Sequence, residues 1–248
     1  MKIIIFGSSL YTLSVLELIS KTNLSNIEIK LVSNSGIHFK KLETSIYNSK
    51  TQYEADLIVS IGFSEKLNIQ NLISKYGCLN IHQSILPEYR GRHPIQAMIL
   101  NGELNYGTTL HYLDQEFDTG DIVKILKKEY YYLPTESIVK KLVIKQSAEL
   151  FTYMIQNCDK LKSQSFKQNL KPTNFAPKRK PSDSEIKSNF KLNYVERMFK
   201  ALTTDPYKPY LLVNNNKIYI SKIYKRKRVG TIEFQLEDCK VYLQPNVS

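Results

Sequence analysis

At 248 residues, 42% apolar and 23% charged, the chain has the composition of an ordinary globular protein, which excludes a disordered or fibrous one. Its three cysteines, Cys78, Cys158 and Cys239, lack metal-ligand spacing and cannot all pair, so a disulfide scaffold is excluded and reduced thiols in a cytoplasm-like compartment are expected. The net charge of +12 admits an anionic partner, but much of the excess sits in the runs 178–180 and 225–228, where a solvated surface is the simpler reading.

The opening residues MKIII imitate a secretory leader. However, Gly7-Ser8-Ser9 breaks the apolar run, Glu17 interrupts its second half, and no small-x-small site follows. No uncharged apolar stretch reaches the length of a membrane-spanning helix, so a soluble protein is expected. Residues 2–6 predict a buried parallel strand, and 11–21 an amphipathic helix with Leu13, Leu16 and Ile19 on its inner face. The turn between them, Phe6-Gly7-Ser8-Ser9, has two open readings: a mere connection, or a set of backbone N–H groups and a helix dipole offered to an anion. It is not G-x-G-x-x-G, and no acidic residue ends the second strand, which argues against a nicotinamide dinucleotide.

Strands are predicted at 27–33, 56–61 and 77–81, the last carrying Asn80 outward at its carboxyl end with His82 just beyond. A helix at 94–101 stops at Gly102, strands follow at 106–112 and 121–129, and a long helix runs over 135–157. Residues 129–133 (EYYYL) read as a strand or an interface. The polar stretch 163–189 reads as a linker. Beyond it a helix at 194–202 precedes short strands at 210–213, 217–224, 230–235 and 239–244, with Asn214-Asn215-Asn216 as a hairpin turn. The expected fold is α/β, a Rossmann-like and mostly parallel sheet, followed by a small α+β or β-rich C-terminal domain. The expected boundaries are 1–162 for the catalytic domain, 163–189 for the linker and 190–248 for the C-terminal domain.

The most informative stretch is 80–123. Side chains at i and i+2 of a strand share a face, so Asn80 and His82 can converge on one volume. An acidic Gly-hinged turn, Asp118-Thr119-Gly120-Asp121, closes the stretch. An amide, an imidazole and a carboxylate brought together can carry out acyl transfer. Taken singly, each has a bland alternative: a structural histidine at a strand end, a turn asparagine, a common loop formula.

Jointly, Asn80, His82, Ser84, Leu86, Pro87, Asp118, Gly120 and Asp121 form a pattern that resembles the formyltransferases using 10-formyltetrahydrofolate. The separation 118 − 82 = 36 agrees with that family. The resemblance is good over about residues 1–135, moderate at 178–186 and poor over the last 60 or so. Ile85 stands where the family usually has Leu, a volume-conserving change. The resemblance implies that His82 handles protons, that Asn80 donates its side-chain N–H to the developing oxyanion, and that Asp118 orients His82, raises its pKa or relays protons. With His82 and Asp118 placed at exposed strand or loop ends, their substitution by Asn is expected to slow turnover and spare the fold. No metal is required. Ser84, Ile85, Leu86 and Pro87 match the segment that contacts the folate. Asp114, Asp118 and Asp121 lie on the loop bordering the pterin pocket, and Phe63 and Leu86 are the expected apolar neighbours of the ring.

The segment Tyr89-Arg90-Gly91-Arg92-His93-Pro94 looks like the branch that formylates nucleotide-linked aminodeoxysugars, as do 199–202 and 205–207. Gly7, Ser8, Ser9, Tyr89, Arg90, Gly91, Arg92 and His93 are therefore the candidate substrate contacts. A dTDP-4-amino-4,6-dideoxyglucose acceptor is expected first, with GDP-perosamine as the main competitor. Such products would feed O-antigen or other surface polysaccharide from a cytoplasmic enzyme. The resemblance also implies a homodimer through the C-terminal region and small-molecule partners, a folate and a nucleotide sugar, with no membrane and no nucleic acid. Methionyl-tRNA formyltransferase is the alternative, favoured by the basic charge and by Pro94-Ile95-Gln96, although residues 181–248 are fewer than its usual C-terminal barrel needs. The glycinamide ribonucleotide enzyme is normally one domain and would not need the region after the linker. A non-catalytic nucleotide- or RNA-binding module with an α/β core is permitted by 17 Tyr and 35 Lys plus Arg, but leaves the Asn80, His82 and Asp118 set without a purpose.

Overall fold

An unbroken apolar strand must be covered on both faces, and β1 (Lys2–Phe6) shows how. In the computed structural model, which describes residues 1–22, 24–171 and 174–246, Ile3 and Ile5 enter one core while Ile4 and Phe6 enter another. Pro172 and Thr173 of the expected linker, and Val247 and Ser248 of the expected C-terminal domain, lie outside the described residues.

The chain continues through α1 (Leu10–Ile19), β2 (Glu28–Ser33), β3 (Glu43–Ile46), β4 (Tyr53–Ala55), β5 (Leu57–Ile61), β6 (Leu72–Ser74) and β7 (Cys78–His82). Next come β8 (Arg90–Gly91), α2 (Pro94–Asn101), β9 (Asn105–Tyr112), β10 (Ile122–Glu129), α3 (Glu136–Gln156) and α4 (Leu161–Gln164). The last elements are β11 (Phe175–Ala176), α5 (Leu192–Ala201), β12 (Tyr210–Val213), β13 (Asn216–Tyr224), β14 (Ile232–Gln235) and β15 (Lys240–Pro245). They divide into two units. The first gathers Met1–Arg92, Asn105–Glu129 and Lys140–Ala176; the second gathers His93–Leu104, Tyr130–Val139 and Pro177–Ser248.

The first unit is built on a seven-stranded sheet in the order β10-β9-β7-β5-β1-β2-β3. The pairings from β7 through β3 are parallel, and β9 and β10 add antiparallel strands at one side, as expected of a mostly parallel α/β sheet. Val15, Leu16 and Ile19 of α1 and Leu150, Phe151 and Met154 of α3 cover one face, each full burial contributing about 1.5–3 kcal/mol. Tyr53, Ile58 and Leu67 join Ile4 and Phe6 on the other. The inner face of α1 thus runs through Thr12, Val15, Leu16 and Ile19 rather than through Leu13, because Ser9 caps the helix and fixes its start at Leu10.

In the second unit α5 packs on α2, and β12-β13-β15-β14 form an antiparallel sheet, the expected β-rich C-terminal element. Asn214 and Asn215 both adopt positive φ (49° and 62°), the conformation a two-residue hairpin turn demands. Glu136 is buried and serves as a tie: Oε1 accepts from Gln96 Nε2 at 3.1 Å, and Oε2 accepts from the Thr203 backbone N–H at 3.2 Å and its hydroxyl at 2.7 Å. Of the EYYYL segment only Glu129 lies in a strand, as the last residue of β10; Tyr130 donates its N–H to the Leu104 carbonyl at 2.9 Å and packs edge-on against Tyr132, and Tyr131 is fully exposed. Among the described residues no helix is long and apolar enough to cross a membrane.

Candidate functional site

The site grows from the carboxyl end of β7. Alternation along that strand puts Asn80 and His82 on one face, as expected, and β9 pairs beside it in a register that sets Asn80 opposite His111 and His82 opposite Thr109. Parallel α/β sheets leave their functional crevice at this end of the strands.

Asp118 is delivered to the same volume by the turn before β10. Its φ of 58° is left-handed, a conformation tolerated by Asp but costly unless the surroundings enforce it. Two features enforce it. Gln168 donates through Nε2 to the carbonyls of Asp118 (3.0 Å) and Gly120 (2.7 Å). Gly120 lies so close to the Tyr112 carbonyl that a Cβ there would sit 2.0 Å from its oxygen.

Asp118 is the hub. Its Oδ1 is 3.1 Å from Asn80 Nδ2, 3.5 Å from His82 Nδ1 and 3.6 Å from His111 Nε2, and its Oδ2 accepts the Gly91 N–H at 3.0 Å. Burial by itself pushes the Asp118 carboxyl up. The His82 imidazole, the His111 imidazole and the Gly91 N–H together outweigh that and hold it well below the usual carboxylate range. His82 Nε2 faces the Tyr89 carbonyl at 2.9 Å, and since a carbonyl only accepts, that nitrogen carries the hydrogen and Nδ1 is the basic one. His82 is buried and the Asp118 side chain only 10% exposed, so neither stands at an exposed end, because loop 84–91 and the strand pair β8–β11 fold back over the end of β7.

The other predicted residues divide by place. Gly91 joins the hub with φ 116°; a Cβ there would meet the Ala176 carbonyl oxygen at 2.2 Å, so only glycine fits. Tyr89 supplies its carbonyl to His82, and Arg90 lies on β8 with its Nε buried and unpartnered among the described residues. Ser84 is fully buried; its hydroxyl donates to the Glu88 carbonyl at 2.6 Å, shaping the loop. Leu86, also buried, donates its N–H to Thr109 Oγ1, and the Leu86-Pro87 bond is cis. Ile85 is half-buried and approaches Gly107. Phe63 packs edge-on against Phe6 and Tyr47.

A second cluster forms beside the ends of β1 and β5. Ser8 Oγ accepts the Ser64 N–H at 2.8 Å, and Arg92 Nη2 donates to the Ser64 carbonyl at 2.8 Å. Gly7 and Ser9 are taken up by the fold. Gly7 donates its N–H to the Val32 carbonyl, and Ser9 makes a reciprocal capping box with Thr12. Asp114 is exposed and accepts its neighbour's N–H from Gln115, and Asp121 faces Lys162 at 3.5 Å; neither reaches the hub. His93 belongs to the second unit, where its Nδ1 accepts the Arg179 N–H at 2.9 Å.

The sequence reading missed His111 and Gln168. Strand parity carried the signal for His111, since it stands in an antiparallel neighbour of β7 opposite Asn80. Gln168 had none, lying in a polar stretch that reads as a linker. Among the described residues no group of His, Cys, Asp and Glu side chains is arranged to hold a metal ion.

Comparison with known proteins bears on the fold and the family. The structure superimposes with a TM-score of 0.75 on the N-formyltransferase from Helicobacter canadensis, solved with folinic acid and dTDP-3-aminofucose; identity is 18%, over 99% of this chain and 100% of that one. It superimposes with a TM-score of 0.70 on a 4-N formyltransferase from Francisella tularensis, at 24% identity over 89% and 96% of the two chains. At such identities these likenesses speak for the fold. In sequence, the methionyl-tRNA formyltransferase of Protochlamydia amoebophila is 24% identical over 83% of this chain and 73% of its own length. That of Clostridioides difficile is 48% identical over 75 residues, 30% of this chain and 24% of its own length. The family model described as formyl transferase matches residues 14–152, more than half of the chain, and contains Asn80, His82, His111 and Asp118. The chain belongs to the formyl transferase family.

Proposed function

We propose that the chain transfers the formyl group of N10-formyltetrahydrofolate to the amino group of a nucleotide-linked aminodeoxysugar. The observation that carries this reading is the convergence of Asn80, His82 and Asp118 at the carboxyl end of the sheet. The acceptor amine attacks the formyl carbon, and an Asn80 N–H meets the developing oxyanion. Removing such a donor typically costs about 10²–10³ in rate. The proton lost by the amine passes to the His82–Asp118 pair, at His82 Nδ1, and returns to N10 of the folate as the carbon–nitrogen bond breaks. The folate itself supplies the activated formyl group. Loop 84–91, with Phe63 and the 114–121 loop, is the proposed folate-contacting surface.

A sugar acceptor is supported by the extent of the structural likeness, which covers 99% of this chain and so includes the C-terminal sheet. The cluster of Ser8, Ser64 and Arg92 offers a cation and hydroxyls suited to a nucleotide diphosphate. The first acceptor to try is dTDP-4-amino-4,6-dideoxyglucose, then its 3-amino counterpart and GDP-perosamine. Methionyl-tRNA is the second reading, favoured by the relatives in sequence. Formyl transfer from 10-formyltetrahydrofolate to these four acceptors tests both. Turnover of one nucleotide sugar, lowered more than tenfold by His82→Asn, is the expected result; turnover of methionyl-tRNA alone would overturn the sugar reading.

A further inference from the structure

Two acceptors compete for the one ring hydrogen of a neutral His82. Nε2 faces the Tyr89 carbonyl at 2.9 Å, and Nδ1 faces Asp118 Oδ1 at 3.5 Å. By charge alone the carboxylate would win and draw the hydrogen to Nδ1, the nitrogen that must be bare to take a proton at the hub. By distance the carbonyl wins, since 2.9 Å is an ordinary hydrogen bond and 3.5 Å is too long for one. The place of a single carbonyl oxygen therefore decides which nitrogen is basic.

That carbonyl is not held by ordinary backbone preference. Tyr89 has a φ of 57°, left-handed and costly for a residue with a bulky side chain. Its N–H donates to the Asn174 carbonyl at 2.6 Å, and the Asn174 N–H donates to Glu88 Oε2 at 2.9 Å. Both polar groups of the Asn174 backbone thus end on adjacent residues of loop 84–91. Glu88 is fixed in its turn: its N–H donates to the Ile85 carbonyl at 3.1 Å, and its carbonyl accepts the Ser84 hydroxyl at 2.6 Å.

We propose that Glu88 is a positioning residue for His82: by gripping Asn174 it locks Tyr89 in the left-handed conformation, and so selects the tautomer with the hydrogen on Nε2 and Nδ1 bare. The effect of that selection on turnover rests on the formyl-transfer reading above. Without the Glu88 carboxylate, Asn174 is held at this loop through its carbonyl alone. Tyr89 then relaxes toward negative φ and its carbonyl leaves Nε2. Asp118 draws the ring hydrogen onto Nδ1, which can no longer accept the proton that the amine loses.

The test joins kinetics to a readout independent of turnover. Imidazole ¹⁵N resonances at pH 8, with those of His82 identified by their absence from His82→Asn, should show the parent with Nε2 protonated and Nδ1 bare. In Glu88→Ala a large part of the hydrogen should move to Nδ1, and kcat should fall about tenfold or more. Glu88→Gln, whose side-chain oxygen can accept the same Asn174 N–H, should keep the parental tautomer and a kcat within about threefold of the parent. A parent already protonated at Nδ1, or a Glu88→Ala variant with the parental tautomer, would overturn the proposal whatever its rate, because Glu88 would then act on the loop and not on His82. A parent that transfers formyl to no acceptor, while the tautomer still shifts in Glu88→Ala, would support the positioning role and overturn the formyl-transfer reading.

Discussion

Asp118→Asn keeps the shape of the hub and removes its charge, which makes its cost calculable. The carboxylate accepts from two donors on different oxygens, Asn80 Nδ2 at 3.1 Å and the Gly91 N–H at 3.0 Å. Asparagine has one oxygen, so one of these donors is left facing an NH2 group. A lost hydrogen bond to a charged group costs about 1.5–3 kcal/mol. For a chain of this size that corresponds to a fall in Tm of about 3–12 °C. The sign with pH follows from the direction of the Asp118 shift. Its folded pKa lies below the unfolded value, so its contribution is complete above about pH 4–5 and is lost as pH falls from there toward the folded pKa. Circular dichroism melts of parent and variant should therefore differ fully at pH 7 and less at pH 3, where part of the parent's advantage has gone. Turnover should fall by about 100-fold or more, within the usual range for a group moving protons. Equal melting at pH 7, or a difference that fails to narrow at pH 3, would refute the hub.

Three further perturbations probe the frame around it. Gly91→Ala places a Cβ 2.2 Å from the Ala176 carbonyl oxygen at a φ of 116°, and should lower stability by about 1–3 kcal/mol and abolish most turnover, measured by melting and formyl transfer. Gln168→Leu releases the carbonyls of Asp118 and Gly120 and should reduce kcat about fivefold to tenfold with a smaller change in Tm, each neutral hydrogen bond contributing about 1 kcal/mol. Cys78→Ser should retain turnover, and the parent thiol should react slowly with iodoacetamide at pH 8, since burial pushes it up to about 11; rapid labelling would contradict that.

What the sequence disclosed, and what it hid, follows from where the information resides. β1 and β5 were legible because burial on both faces writes a near-continuous apolar run. α2 was legible at both ends, from Pro94 at its start and Gly102, with φ 81°, just past its end. β3, β4 and β6 were not: ETSI, YEA and LIS are short and partly exposed, so neither alternation nor a continuous run marks them. The hub was half legible. Asn80 and His82 share a strand and Asp118 sits on a recognisable turn, but His111 becomes a partner only once β9 is known to pair with β7 in that register. Residues 166–171 and 174–176 hid their role, because they act mostly through backbone groups: Phe166 bridges Ile122, Asn174 accepts from Tyr89, and Ala176 accepts from Arg92.

That backbone strap carries a consequence for biosynthesis. Gln168 follows the Asp118 carbonyl it holds by 50 residues, and at about 5–20 residues per second the ribosome takes roughly 3–10 s to make that interval. Asn174, which receives the Tyr89 N–H, emerges later still. The strained turn and the loop over β7 are therefore synthesised well before the groups that hold them, and a nascent chain passes through a period in which the sheet can form while its catalytic end stays unassembled. Any variant that weakens the strap, Gln168→Leu included, lengthens exposure of His82 and Asp118 in the young chain, and should lower yield as well as slow the enzyme.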